Sequence, residues 1–455
     1  MLTIGLLISF LLGFSLLNCL NGRLFLTEKI GLSFLLGISA QTLLMLLMDA
    51  VGLSISVTNI WWVSFLAIAA LNYKFILRRE KFSLKLNLPD KSSFNLVWLL
   101  FIILIVYLEY MNFAKCMYFP TFDRDSLAGF DTIGWVISQE HTLRNLSIFQ
   151  GDYMVNINGP GSYLTYMPMI QLSYGYVYML GAETSKLIPA LVYLAFLFAF
   201  YGSVSRFCGH TGAAVATFFM LITPEMIAFS SLSATNVIHA VYASLGIIYT
   251  ALWLRDRSNY LLLLGAMLLA CNIWVRMEGI VFIGAALIMM FIGTFREKVY
   301  KSLGIYAVIS ILPLILWTIF GKIFGLTAEG IVITHPYWEA EKASVIWEYF
   351  KSHWTNGQYY GLSFGLFALA VLANAWFLVR KRDQMALLGM ILLAMLFYMI
   401  LLYQVDYKWD AIQNVLAYSA KRFMFCYIPL LWCYIVASHW GSLLFRKLEN
   451  FLRFK

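Results

Sequence analysis

Apolar blocks of about 20 residues, the length that crosses a bilayer as a helix, recur along the chain between short polar breaks. They lie near 2–20, 30–52, 58–77, 95–116, 187–205, 211–229, 235–254, 259–275, 279–295, 303–324, 360–379, 384–404 and 423–441, and each reads as a transmembrane helix. Basic residues gather at alternate breaks: Arg23 and Lys29; Arg78, Arg79, Lys81, Lys85 and Lys91; Arg206; Arg255 and Arg257; Arg296, Lys298 and Lys301; Arg380, Lys381 and Arg382; and Arg446, Lys447, Arg453 and Lys455. Lys and Arg favour cytoplasmic loops, and all these clusters are cytoplasmic together only with the N-terminus outside and roughly thirteen spans. The first block has no basic stretch before it and runs into Asn21-Gly22-Arg23, without small residues for a signal peptidase, so it reads as a retained helix.

That parity decides one ambiguous segment. Residues 163–181 are apolar enough to span, but their insertion would reverse every later loop and put most basic clusters outside. They are expected to lie in the interface, with Tyr163, Tyr166, Tyr174, Tyr176 and Tyr178 at headgroup level.

Composition agrees with lipid as the solvent. Of 455 residues, 62% are hydrophobic and 12% charged, against roughly 45–50% and 25% in soluble domains; a water-soluble globule is excluded. The net charge of +9 does not point to nucleic acid, because the cations sit at block ends and form no face for a phosphate backbone. Six cysteines (Cys19, Cys116, Cys208, Cys271, Cys426, Cys433) lie mostly inside or beside apolar blocks without metal-ligand spacing, and read as small buried hydrophobes.

Candidate chemistry falls on the other side. Two outer segments, roughly 117–186 and 325–358, and three short outer turns hold nearly all acids without a cytoplasmic basic neighbour. Directly after the fourth block, Asp123, Asp125 and Asp131 place three carboxylates within nine positions, where a charge is costly unless paired, solvated or in use. Asp123 and Asp125 could converge on one ligand or form a turn paired by Arg124; Asp131 precedes a plausible helix over 132–143 and is expected to cap it. Thr223-Pro224-Glu225 ends the sixth block and Asn236 begins the seventh, either as site residues or as ordinary helix-start chemistry. Arg276 and Glu278 share a turn so short that both stay at the membrane edge; Arg276 suits a phosphate through bidentate bonding, or simply pairs with Glu278. Lys421 and Arg422 put two cations on the outer side against the usual bias. His335, beside Pro336, Tyr337 and Trp338, is a substrate contact or an interfacial anchor.

In this order the motifs resemble the GT-C membrane glycosyltransferases, a class that includes protein O-mannosyltransferases and lipid A aminoarabinose transferases. The resemblance rests on Asp123-Arg124-Asp125 after an early span, then YLTYMPMIQLSYGYVYMLG, SKLIPALVYLAFLFAFYGSVSRF, ITPE, ATN, RDRSN, WVRMEG and KRFMFCYIP, over roughly residues 95 to 441. Asn236 stands where many members carry a second Asp, and the three blocks before residue 95 have no counterpart in those members. The resemblance implies an all-α integral membrane fold, a GT-C-like bundle of about 13 transmembrane helices with outer loops and interfacial helices. It divides the chain into an N-terminal three-helix extension (1–94), a catalytic domain (95–441) and a basic cytoplasmic tail (442–455).

The implied activity is transfer of a sugar from a polyprenyl-phosphate donor to a hydroxyl of a lipid, glycan or protein acceptor, on the outer face of a bacterial inner membrane. Asp125, then Asp123, are the expected bases, with Asp131 a third candidate. Arg276, Arg422 and Lys421 would bind the donor phosphate, and Glu225, Asn236, Glu278 and His335 would complete the site. The resemblance fixes no cofactor, and a divalent metal ion fits the scheme. Membrane lipid, and no nucleic acid, is the other expected partner. A transporter or flippase of lipid-linked sugars is the competing reading, although such proteins place ionisable groups within paired, interrupted spans; a polysaccharide polymerase or ligase using a diphosphate-linked donor is another.

Overall fold

The computed structural model describes residues 1–73, 86–87, 95–123, 125–144, 146–149, 166–295, 300–326, 332–334, 338–382, 384–407 and 411–451. Among the described residues the regular structure is helical apart from two short strand pairs, Leu24–Phe25 with Leu86–Asn87 and Val332–Thr334 with Val405–Tyr407. In order the main helices are α1 (Leu2–Cys19), α2 (Leu26–Ala50), α3 (Val57–Leu71), α4 (Leu96–Tyr118), α5 (Asp131–Glu140), α6 (Met169–Met179), α7 (Leu187–Leu221), α8 (Pro224–Phe229) and α9 (Asn236–Asp256). Then follow α10 (Asn259–Val275), α11 (Ile280–Thr294), α12 (Tyr300–Phe324), α13 (Ala340–Thr355), α14 (Ser363–Ala373), α15 (Ala375–Lys381), α16 (Met385–Gln404), α17 (Ile428–Ala437) and α18 (His439–Phe451).

Among the described residues, 8 helices are long and apolar enough to cross a membrane, and up to 10 if each of two bent pairs is one span. The bent pairs are α14 with α15, at 52°, and residues 421–437 with α18, at 66°. The block expected at 187–205 and the first part of that at 211–229 share the 35-residue run α7, broken at Gly209 (φ 82°, ψ 178°), and the rest of the second block forms α8. The blocks at 58–77 and 259–275 form α3 and α10, of 15 and 17 residues. Leu99, Leu100, Ile103 and Val106 on α4 are exposed, as are Val308, Leu312, Ile315 and Ile319 on α12, which suits surfaces solvated by lipid tails.

Local chemistry starts several helices. The Asn95 carboxamide oxygen accepts from Trp98 N at 2.9 Å to cap α4, and Pro224 takes the first position of α8, where no N–H is needed. Helices α1 and α2 pack backbone to backbone: a Cβ on Gly13 would lie 1.9 Å from the Ser33 carbonyl oxygen, and one on Gly37 would lie 1.9 Å from that of Ser9.

Helix α2 also belongs to the bundle core. The Tyr242 hydroxyl donates to the Leu35 carbonyl at 2.7 Å and Trp274 Nε1 donates to Thr42 Oγ1 at 3.0 Å, tying α2 to α9 and α10. At its start Glu28 is fully buried, accepting from Arg206 Nε at 2.8 Å and Nη2 at 2.6 Å, from the Tyr249 hydroxyl at 2.6 Å and from Phe25 N at 2.7 Å. At its far end buried Asp49 accepts from Thr142 Oγ1 at 2.8 Å, Leu143 N at 2.9 Å and Arg144 Nε at 3.1 Å.

Two expectations are corrected. Helix α6 has 11 residues, about 16 Å at 1.5 Å per residue and too short for a bilayer core of about 30 Å, but its tyrosines do not face headgroups. Tyr174 and Tyr176 are wholly buried; α5 packs over α6, and the Tyr176 hydroxyl donates to the Gly5 carbonyl at 3.0 Å while Trp61 Nε1 donates to it at 3.3 Å. Protein groups thus hold the Tyr176 hydroxyl, while the buried Tyr174 hydroxyl has no hydrogen-bond partner among the described residues. Tyr163 lies outside the described residues. Asp131 is likewise no cap, because helical backbone already runs through a π turn at Ser126–Phe130 and continues into α5. The capping carboxylate is Asp123, whose Oδ2 accepts from Ser126 N and Oγ, both at 3.2 Å.

Candidate functional site

The charged groups gather at one end of the bundle through three contacts. Arg422, five residues before the Tyr427 cap of α17, donates from Nη1 to Asp125 Oδ2 at 2.6 Å across 297 positions of sequence. Its neighbour Lys421 places Nζ 2.5 Å from Glu225 Oε1 in the first turn of α8. Arg276, between α10 and α11, donates from Nη2 to Glu278 Oε1 at 2.6 Å and from Nη1 to Asn236 Oδ1 at 2.8 Å at the start of α9. The pairing of Arg276 with Glu278 is thus real, and Asn236 extends it.

Tyr166 joins these contacts into one region. The Arg276 guanidinium lies 5.9 Å from its ring centroid, and Phe130 packs edge-on at 5.4 Å. Burial pushes the Tyr166 phenol up; Arg276 pulls it down, Glu278 and Asp125 push it up and Arg422 pulls it down. All four charges therefore act on one hydroxyl. The second outer segment adds an aromatic column: Tyr349 stacks on His353 at 3.9 Å, His353 on Tyr359 at 5.2 Å, and the Lys421 ammonium sits 4.1 Å over Tyr359. The Tyr360 hydroxyl donates to the Lys421 carbonyl at 2.9 Å and fixes the turn that carries both cations.

Asp125, Glu225, Asn236, Arg276, Glu278, Lys421 and Arg422 are thus brought into one neighbourhood. Asp123 is nearby in sequence, with one oxygen engaged in the cap; Arg124 and His335 lie outside the described residues. Asp131 Oδ1 accepts from the Tyr178 hydroxyl at 2.5 Å, bridging α5 and α6. Burial, then the bond to Asp131, pushes the Tyr178 phenol up to about 12. Because that is above the ordinary value near 10, the stability tied to this proton is complete below about pH 10 and is lost as pH rises through about 12. Tyr178→Phe should cost about 1.5 kcal/mol in thermal unfolding, the low end for a hydrogen bond to a charged group, because both partners are only half-buried.

Sequence reasoning read Tyr166 only as an interfacial aromatic and did not single out Tyr349, His353 or Tyr359 of the aromatic column. It also passed over His239, one turn into α9 and fully buried, whose Nδ1 is 3.1 Å from Cys426 Sγ and whose Nε2 has no hydrogen-bond partner among the described residues. Glu109 was missed as well: its side chain is buried within α4, with Oε2 accepting from Asn112 Nδ2 at 3.3 Å. A polar residue inside an otherwise apolar block was the available signal for both.

Among the described residues no group of three or more His, Cys, Asp or Glu side chains converges to hold a metal ion. The acids of the cluster instead face Arg and Lys, a donor set poorly suited to a divalent ion. The arrangement offers carboxylates able to accept a proton beside guanidinium and ammonium groups able to stabilise a phosphate. No family model, curated protein or solved structure matches the chain.

Proposed function

We propose that the chain is a membrane glycosyltransferase of GT-C type that moves a sugar from a polyprenyl-phosphate donor to an acceptor hydroxyl at the charged end of the bundle. The observation that carries this reading is the Asp125–Arg422 contact at 2.6 Å, because it places an acid suited to deprotonating an acceptor beside a cation suited to a lipid phosphate. The acceptor oxygen attacks the anomeric carbon as Asp125 takes its proton, and the bond to the phosphate oxygen breaks. Charge developing on the departing phosphate is met by Arg422, Lys421 and Arg276, supplied by separate segments of the chain.

Asp125 engages the same Arg422 guanidinium that the phosphate needs. Donor binding therefore exchanges carboxylate for phosphate on Arg422, beside which Asp125 acts as base. Thirteen crossings with the N-terminus outside suit this scheme: α7 up to Gly209 would supply one, the rest of α7 with α8 a second, and the short helices α3 and α10 one each. The charged end then faces the periplasm of a bacterial inner membrane, and Arg23, Arg206 and Arg255 face the cytoplasm.

Arg422→Gln should weaken binding of a polyprenyl-phosphate sugar by roughly 10- to 100-fold, the range for a lost charge-assisted bond, measured by equilibrium binding to purified protein. Unchanged affinity in both Arg422→Gln and Arg276→Gln would leave these residues as structural ion pairs and remove the phosphate from the scheme.

A further inference from the structure

At the opposite end of the bundle a cavity of about 430 Å³ opens between the end of α9, the break in α7 and the turn from α17 into α18. Its polar wall includes Arg255, His439, Arg446, Lys447 and Gln384. Asn236 belongs to the charged cluster and Arg255 lies nineteen positions further along the same helix, a rise of about 28 Å. The cavity is therefore separate from the site proposed for transfer.

Its charge balance favours an anion. Arg255 shares its charge with Asp256, at 2.7 Å from Nε and 3.1 Å from Nη2. Glu449, the other nearby acid, is committed to α7: its Oε1 accepts from Thr211 N at 2.8 Å, and a Cβ at Gly209 would lie 2.6 Å from it. Among the described residues Arg446 donates only a long bond, 3.4 Å, to the Phe207 carbonyl, and Lys447 makes no hydrogen bond or ion pair. Two cations thus line the cavity without an acidic partner among the described residues.

The helix carrying them locates the cavity relative to lipid. Helix α18 turns 66° from the preceding helix and carries exposed Trp440, Leu444 and Phe451 on one side with Arg446 and Lys447 beside them. An amphipathic helix of that composition, bent at the end of a span, lies in the plane of the interface with its cations at headgroup depth. The geometry points to a binding site for the phosphate of an anionic lipid headgroup, held by Arg446 and Lys447 with Arg255 behind them, and it does not depend on the proposed transfer reaction.

The test uses the full chain in an uncharged detergent, titrated with dihexanoyl phosphatidylglycerol, dihexanoyl phosphatidylcholine or inorganic phosphate while thermal unfolding is followed. Phosphatidylglycerol should stabilise saturably and phosphatidylcholine should not. Juxtamembrane cations contribute roughly fivefold each, so Lys447→Gln should raise the half-saturating concentration about fivefold and Arg446→Gln/Lys447→Gln about 30-fold. Lys447 is exposed and has no hydrogen bond or ion pair among the described residues, so the single variant tests the site with little effect on folding. Equal stabilisation by inorganic phosphate, with the same dependence on both variants, would retain the phosphate site and assign it to a free anion. Equal stabilisation by phosphatidylcholine, or a phosphatidylglycerol response unchanged in the double variant, would overturn it.

Discussion

Asp125→Asn should lower sugar transfer by roughly 10²–10⁴, the usual contribution of a positioned general base, while donor affinity rises. The two effects have one cause. The carboxylate that accepts the acceptor's proton also occupies Arg422 at 2.6 Å, so the amide removes the base and weakens the phosphate's competitor together. Turnover measured under saturating donor, with donor binding measured separately, distinguishes this from misfolding, which would lower both. Asp131→Asn should retain activity, because its oxygen can still accept from the Tyr178 hydroxyl. Full activity in Asp125→Asn, Asp123→Asn and Asp131→Asn alike would remove acid–base catalysis from this loop.

Glu28→Ala should destabilise the protein by about 3–5 kcal/mol, the cost of leaving one member of a buried ion pair without its partner. Arg206 would lose both guanidinium bonds, and the Tyr249 hydroxyl and Phe25 N–H would lose their acceptor. Unfolding of detergent-solubilised protein by graded sodium dodecyl sulfate measures the loss. A Glu28→Leu/Arg206→Met variant should recover most of it, because replacing both charges removes the desolvation cost as well as the attraction. A double variant as unstable as Glu28→Ala would show that packing around Tyr249, and not the ion pair, is what holds α2 to α7.

Hydropathy made the helices legible, and the sidedness of charge separated one end from the other: Asp125, Glu225, Arg276 and Arg422 gather at one end, and Glu28, Arg206 and Arg255 at the other. Arg276 with Glu278 was legible because the two are neighbours in one turn. Contacts between distant segments were not. Asp125 and Arg422 were both singled out, yet nothing in either motif encodes a contact across 297 positions, and Arg206 read as a loop marker because Glu28 is 178 positions away. Asp131 was misread for a local reason: the π turn at Ser126–Phe130 starts the helix upstream and moves the cap to Asp123. The tyrosines of α6 were misplaced because an amphipathic ring satisfies its hydroxyl equally well with a headgroup or with a carbonyl such as that of Gly5.

Transfer itself is tested most directly by incubating the purified protein, reconstituted in vesicles, with a panel of polyprenyl-phosphate sugars carrying labelled sugar. The account predicts release of free polyprenyl phosphate with at least one donor, lost in Asp125→Asn while that variant still binds the donor. Translocation of intact lipid-linked sugar across the vesicle membrane, with no polyprenyl phosphate released from any donor, would contradict it.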